Sequence, residues 1–159
     1  MQIVVRDAEP GDGSDILRLV RALAEYERLA HQCEATLPDV ERELFGPDRV
    51  AHALVATKDG AVVGIAIWFH NFSTFLSRRG IWLEDLFVMP EHRGDGIGRA
   101  LLVELAQRAR ALHCGRLEWA VLDWNESAIR FYESLGARAV DGWHIFRMAA
   151  PQIAALAGD

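Results

Sequence analysis

Cysteine is scarce in this chain. Only two occur in 159 residues, Cys33 and Cys114, and no short spacing links them. That excludes a disulfide framework or a cysteine zinc site, so both thiols are expected to be reduced and partly buried. The six histidines, at positions 31, 52, 70, 92, 113 and 144, never fall in a ligand spacing such as H-x-x-x-H, and no metal is expected. No run of about 18 apolar residues exists, so no transmembrane helix is expected. The opening residues MQIVVRDAEPGD carry acids and no long apolar stretch, which reads as no signal peptide and a cytoplasmic location. Low-complexity stretches, internal repeats and linkers are also missing. Excess positive charge is lacking too. The formal net charge is −6, which argues against nucleic acid or an anionic membrane as the main partner.

What is present suits one globular domain over residues 1–159, with 51% hydrophobic and 25% charged residues. Ile3 to Val5 reads as a first strand. Ser14 or Asp15 is expected to cap a helix in which Ile16, Leu17, Leu19, Val20, Leu23 and Ala24 recur at helical spacing. Thr36 to Phe45 reads as a second helix with Pro38 in its first turn. His52 to Thr57 and Val62 to Phe69 flank the turn Asp59-Gly60 as a hairpin. Asn71 to Gly80 reads as a loop, and Ile81 to Met89 as an apolar strand interrupted by Glu84 and Asp85. Ile97 to His113 is an amphipathic helix, and Leu117 to Val121 a strand. Asn125 caps a helix ended by Gly136, and Val140 to Met148 holds a last strand. The order β-α-α-β-β-β-α-β-α-β implies an α/β (α+β) fold, with a mixed sheet covered by helices.

The segment Arg93-Gly94-Asp95-Gly96-Ile97-Gly98-Arg99 joins the apolar strand to the amphipathic helix. Glycines adopt positive φ freely and let successive backbone N–H groups converge on one point. The helix start adds unpaired donors and the positive end of its dipole. Arg93 and Arg99 add charge, so the segment is suited to a pyrophosphate. It is neither G-x-G-x-x-G, since position 99 is arginine, nor a Walker loop, since G-K-[ST] is absent. A glycine-rich turn without a ligand stays open on this segment alone.

Together with its flanks, this segment resembles the acetyl-CoA loop of the GNAT acetyltransferases. The likeness runs through Tyr26-Glu27, Leu83-Glu84-Asp85-Leu86-Phe87-Val88-Met89, Ala120-Val121-Leu122-Asp123-Trp124-Asn125, Phe131-Tyr132 and Gly142-Trp143-His144. That set is similar to the diamine acetyltransferase branch, which includes spermidine/spermine and thialysine N-ε-acetyltransferases. The resemblance implies a GNAT fold with a mostly antiparallel sheet, acetyl-CoA as co-substrate and a homodimer. It implies direct transfer of acetyl to a primary amine of a small molecule, since neither cysteine matches a nucleophile position. Protein or peptide N-acetylation, or a silent acyl-CoA-binding module, remain alternatives.

Further roles follow from the resemblance. Leu86, Phe87, Val88 and the loop from Arg93 to Arg99 would hold acetyl-CoA, with Asn125, Ser127, Ala128 and Tyr132. Tyr132 would donate a proton to the leaving thiolate. An alkylamine has a pKa of about 10.4 and must lose a proton before it attacks. Glu84 is expected to take it, with Asp85 second, because strand alternation sends the two acids to opposite faces. Tyr26, Glu27, Glu84, Asp85 and Asp141 would bind the substrate. One departure concerns the loop from Asn71 to Gly80. Relatives acting on polyamines carry a tryptophan there, while this chain has Phe75 and Leu76 followed by Arg78 and Arg79. Those arginines would repel a polycation if they faced the site, which puts spermidine in doubt.

Overall fold

A computed structural model describes residues 2–158. They divide into two compact units, one up to Leu122 and one from Asp123 onward. In the first, a five-stranded sheet runs in the order β1-β2-β3-β4-β5. The strands are β1 (Ile3–Asp7), β2 (His52–Lys58), β3 (Ala61–Ser73), β4 (Arg78–Val88) and β5 (Leu117–Trp119). The first four pair antiparallel, and β4 pairs β5 in parallel. This is the mixed, mostly antiparallel sheet that the sequence implies.

Helices cover both faces. Helix α1 (Gly13–Tyr26) presents Ile16, Leu19 and Leu23, and α2 (Leu37–Phe45) presents Leu44, to Val55, Ile65, Ile67 and Phe87. Alternation sends Leu54, Ala56, Gly64 and Ala66 to the other face. There α3 (Ile97–Ala111) buries Ile97, Leu101 and Leu105. Gly64 seats this helix: a Cβ at Gly64 would lie 3.0 Å from Ile97 and 3.4 Å from Leu101. A side chain here would push out the first turn of α3.

Several expected boundaries move. Helix α1 starts at Gly13 after Asp12 rather than at a cap on Ser14 or Asp15. Asp12 does not cap α1 with its side chain, because its carboxylate takes Arg6 in two hydrogen bonds of 2.7 and 3.0 Å and accepts the Glu9 backbone N–H at 2.7 Å. Asn71 to Gly80 is mostly strand. Asn71 pairs with Gly80, Phe72 with Arg79 and Ser73 with Arg78, so only residues 74–77 form the tip. Ladder pairing carried the hairpin past its polar composition.

In the second unit, α4 (Glu126–Ser134) is followed by α5 (Ala150–Ala157). Asn125 caps α4 as expected, its Oδ1 accepting the Ala128 N–H at 3.4 Å. The strand expected over Val140 to Met148 does not form among the described residues. Asp141 and Gly142 form a turn with Gly142 at φ +86°, and no ladder partner extends the apolar residues that follow. The final helix, unforeseen in sequence, is built from Ala150-Pro151-Gln152-Ile153-Ala154-Ala155-Leu156-Ala157, with Pro151 in its first turn.

Candidate active site

The chemistry of the first unit gathers where β4 runs into the glycine segment. β4 pairs with β3 along its whole length, but with β5 only over Ile81–Leu83. From Glu84 to Val88 its outer edge has no strand partner among the described residues. An extended ligand can therefore add to this edge through the backbone of Leu86, Phe87 and Val88.

The pairing changes at Glu84. Ile67 pairs with Asp85 and the next residue, Trp68, pairs with Leu83, so Glu84 is the extra residue of a bulge. Leu83 and Asp85 are thereby sent to opposite faces. Asp85 lies on the face of Ile67 and Phe87, under the end of α1. The bulge replaces simple alternation at this point, and it leaves Glu84 exposed and Asp85 more enclosed. Burial first, and then the carboxylates of Glu84 and Glu27, push the Asp85 carboxyl up to about 7. Glu27, the residue ending α1, is also raised, by burial. Three predicted substrate acids thus converge, with Glu84 exposed and Asp85 and Glu27 half-buried.

Tyr26 and Arg93 close one side of this group. The Tyr26 and Phe87 rings lie 6.4 Å apart, and the Arg93 guanidinium sits 4.4 Å from the Tyr26 centroid and 5.6 Å from that of Phe87. Arg93 Nε donates to the Val88 carbonyl at 3.4 Å. Its charge is therefore held over two rings.

The glycine segment fits an anion such as the pyrophosphate of acetyl-CoA. Gly94 and Gly96 take φ +86° and +80°, and nothing lies within 4 Å of where a Cβ would stand on either. Helix α3 begins at Ile97 with no side-chain cap. The backbone N–H groups of Ile97, Gly98 and Arg99 thus lack partners within the helix. The Ile97 side chain is buried on the sheet, so it can contribute only its backbone. Arg99 is exposed. Asp95 does something else. Its Oδ2 accepts from Lys58 Nζ at 2.7 Å, which ties the loop to the end of β2 and holds the Asp95 carboxyl below its ordinary range. Lys58 was missed in sequence. It lies 37 residues from Asp95 and no local spacing points to it.

Arg78 and Arg79 lie at the far end of β4, and six residues of strand separate Arg79 from Asp85. At 3.4 Å per residue that is about 20 Å, beyond a Debye length of about 8 Å. The two arginines therefore stand well away from Asp85 along β4.

The second unit carries the remaining predicted residues. Asn125 Oδ1 also accepts from Ser127 Oγ at 3.4 Å. Tyr132 lies near the end of α4 with its ring 5.5 Å from that of Phe131. Seven residues separate Asn125 and Tyr132, about two helical turns, which places them on one side of α4. Asp141 is in the turn before Gly142. Among the described residues, no group of three or more His, Cys, Asp or Glu side chains is placed to hold a metal ion.

Comparison with known proteins gives the family and the fold. Residues 18–137 match the family described as "Acetyltransferase (GNAT) family". The chain is 38% identical to a thialysine N-epsilon-acetyltransferase of Bos taurus, over 98% of each chain. It is 35% identical to an L-ornithine N5-acetyltransferase of Arabidopsis thaliana, over 79% of this chain and 52% of that one. Among solved structures, an integron cassette protein from the mobile metagenome of V. cholerae superposes with a TM-score of 0.84 at 24% identity, covering 100% of this chain and 99% of the other.

Proposed function

This chain belongs to the GNAT acetyltransferase family, and we propose that it moves the acetyl group of acetyl-CoA onto a primary amine of a small cationic molecule, a diamine or a lysine-like amino acid. The observation that carries the reading is the convergence of Glu27, Glu84 and Asp85 beside the unpaired edge of β4. Three carboxylates at one place suit an acceptor with more than one positive charge. The relatives named for thialysine and ornithine support an amino-acid acceptor.

In this reading Glu27 and Asp85 hold the ammonium, and Glu84, exposed at the bulge, passes its proton through water to solvent. The neutral nitrogen then attacks the acetyl carbon directly, forming the C–N bond as the C–S bond breaks, and its remaining extra proton leaves to solvent. Acetyl-CoA supplies the thioester, along the edge of Leu86, Phe87 and Val88 and over the loop of Gly94 and Gly96. A backbone N–H of that edge faces the thioester carbonyl. Tyr132 returns a proton to the departing sulfur, and Asn125, Ser127 and Ala128 line the cofactor side of α4. Asp141 adds a further substrate acid. The family match crosses the boundary between Leu122 and Asp123, which supports one acetyltransferase domain over 1–159. The same reading makes the protein a cytoplasmic homodimer, so light scattering should return twice the chain mass. None of the described helices is long and apolar enough to cross a membrane.

A thiol-release assay over thialysine, lysine, ornithine, spermidine and amino sugars tests the acceptor. Turnover of the cationic amino acids in preference to amino sugars is expected. Turnover of peptides alone would overturn the small-molecule reading. Tyr132→Phe should lower kcat by roughly a hundredfold while acetyl-CoA binding persists. An unchanged kcat would remove Tyr132 from its role.

A further inference from the structure

A second cavity lies at the other end of the sheet. Its volume is about 370 Å³, and it opens between the end of α2, the start of β2 and the end of α3. Gly64 pairs with Val88 next to the glycine segment, whereas Trp68, on the cavity wall, pairs with Leu83. Four residues of β3 separate Gly64 from Trp68, roughly 13 Å of strand. The cavity shares no residue with the acids or the loop described above.

Its wall is an unusual aromatic group. His52 and Trp68 are cross-strand partners, stacked with centroids 4.5 Å apart and planes 23° from parallel. His70 stands edge-on to Trp68 at 5.3 Å. His70 Nδ1 lies 3.0 Å from the Gly80 carbonyl oxygen. A carbonyl only accepts, so that nitrogen carries the proton and the ring is fixed. Burial holds the His52 pKa below its ordinary value, and Arg49, His70 and Arg108 add to that, against Asp7. Trp68 is only 4% exposed, and its Nε1 has no hydrogen-bond partner among the described residues. An enclosed donor without an acceptor costs about 1–3 kcal/mol. Nothing in the acetyl-transfer chemistry uses these rings.

Charge at the mouth is unequal. Arg108 is engaged by Asp7 at 2.7 Å and by Glu104 at 3.1 Å. Arg49 is exposed, and its recorded contact is a weak one to the Leu44 carbonyl at 3.5 Å. Among the described residues Arg49 forms no ion pair, although its charge also acts on Asp7, and it stands beside an aromatic and aliphatic lining. The volume is in the range of small-molecule sites, which begins at about 300 Å³. We propose that this cavity is a second ligand site, one that binds a small aromatic carboxylate with its ring against the face of His52 turned away from Trp68 and its carboxylate on Arg49.

Benzoate is the probe, added to the full-length protein and followed by the indole N–H resonance of Trp68, assigned with Trp68→Phe. A saturable shift is expected, and benzyl alcohol, which lacks the charge, should produce none. Arg49→Gln should weaken benzoate binding about tenfold, the worth of one charge-assisted hydrogen bond. Its acetyltransferase activity without benzoate should be unchanged, because Arg49 is remote from the transfer site. Acetyl-CoA should not displace benzoate. The proposal fails if no saturable shift appears, if Arg49→Gln binds as the wild type does, or if acetyl-CoA competes. Failure of any of these leaves the acetyltransferase reading intact, since that is read by thiol release.

Discussion

Asp85 is the residue whose chemistry the structure alters most. Its carboxyl is pushed from 3.8 up to about 7, by burial first and then by Glu84 and Glu27. A folded-state pKa above the unfolded value means that protonation favours the fold. The benefit is complete below about pH 4 and is lost as pH rises through about 7. Asp85→Asn cannot ionise and should escape that loss. Its melting temperature should exceed that of wild type at pH 8, by an amount equivalent to at most about 4 kcal/mol. The gap should close below pH 4, and a gap of equal size at both pH values would contradict the assignment. Activity should respond in the opposite sense. Wild-type kcat/KM should rise through about pH 7 as Asp85 ionises. Asp85→Asn should lose that limb and fall roughly a hundredfold at pH 8. A limb that survives the substitution belongs to another group.

At the scale of elements, the turn from β4 into α3 is the proposed binding element for acetyl-CoA. Gly96 precedes α3 with φ +80°, a conformation that costs a residue with a Cβ about 1–2 kcal/mol. Gly96→Ala should therefore raise the KM for acetyl-CoA about tenfold with a smaller effect on kcat, measured by thiol release. Lys58→Ala should move the same constant in the same direction, because the 2.7 Å tie to Asp95 holds the loop. If only kcat changed, the loop would not be a binding element. These elements also show what a sequence can reveal. The helical spacing of Ile16, Leu19 and Leu23, the Asp59-Gly60 turn and the glycine segment are local patterns, and each appears where its spacing placed it. The bulge at Glu84 depends on how β4 registers against β3, and Lys58 meets Asp95 only once β2 is placed. No local spacing encodes either. Val140 to Met148 has strand-like composition, but a strand needs an edge to pair with, and composition does not supply one.

At the scale of the whole molecule, the formal charge of −6 and the three converging acids act together. A field of one sign draws an oppositely charged substrate toward a site and raises its encounter rate. Salt removes that advantage. Between about 0.01 M and 0.15 M ionic strength the screening length falls from about 30 Å to about 8 Å. The kcat/KM for a dicationic acceptor should fall several-fold over that range, and the fall for a monocationic acceptor should be shallower. The kcat should change little, since the proposed contacts of the bound ammonium with Glu27 and Asp85 would be too close to be screened. Acetyl-CoA, being an anion, should show no such loss. Equal salt slopes for the two acceptors would mean that the second positive charge does not meet the acids. The choice of acceptor would then rest on shape, and neutralising Glu27 with Glu27→Gln should leave the preference between the two acceptors unchanged. If the slopes differ as expected, Glu27→Gln should shrink the difference.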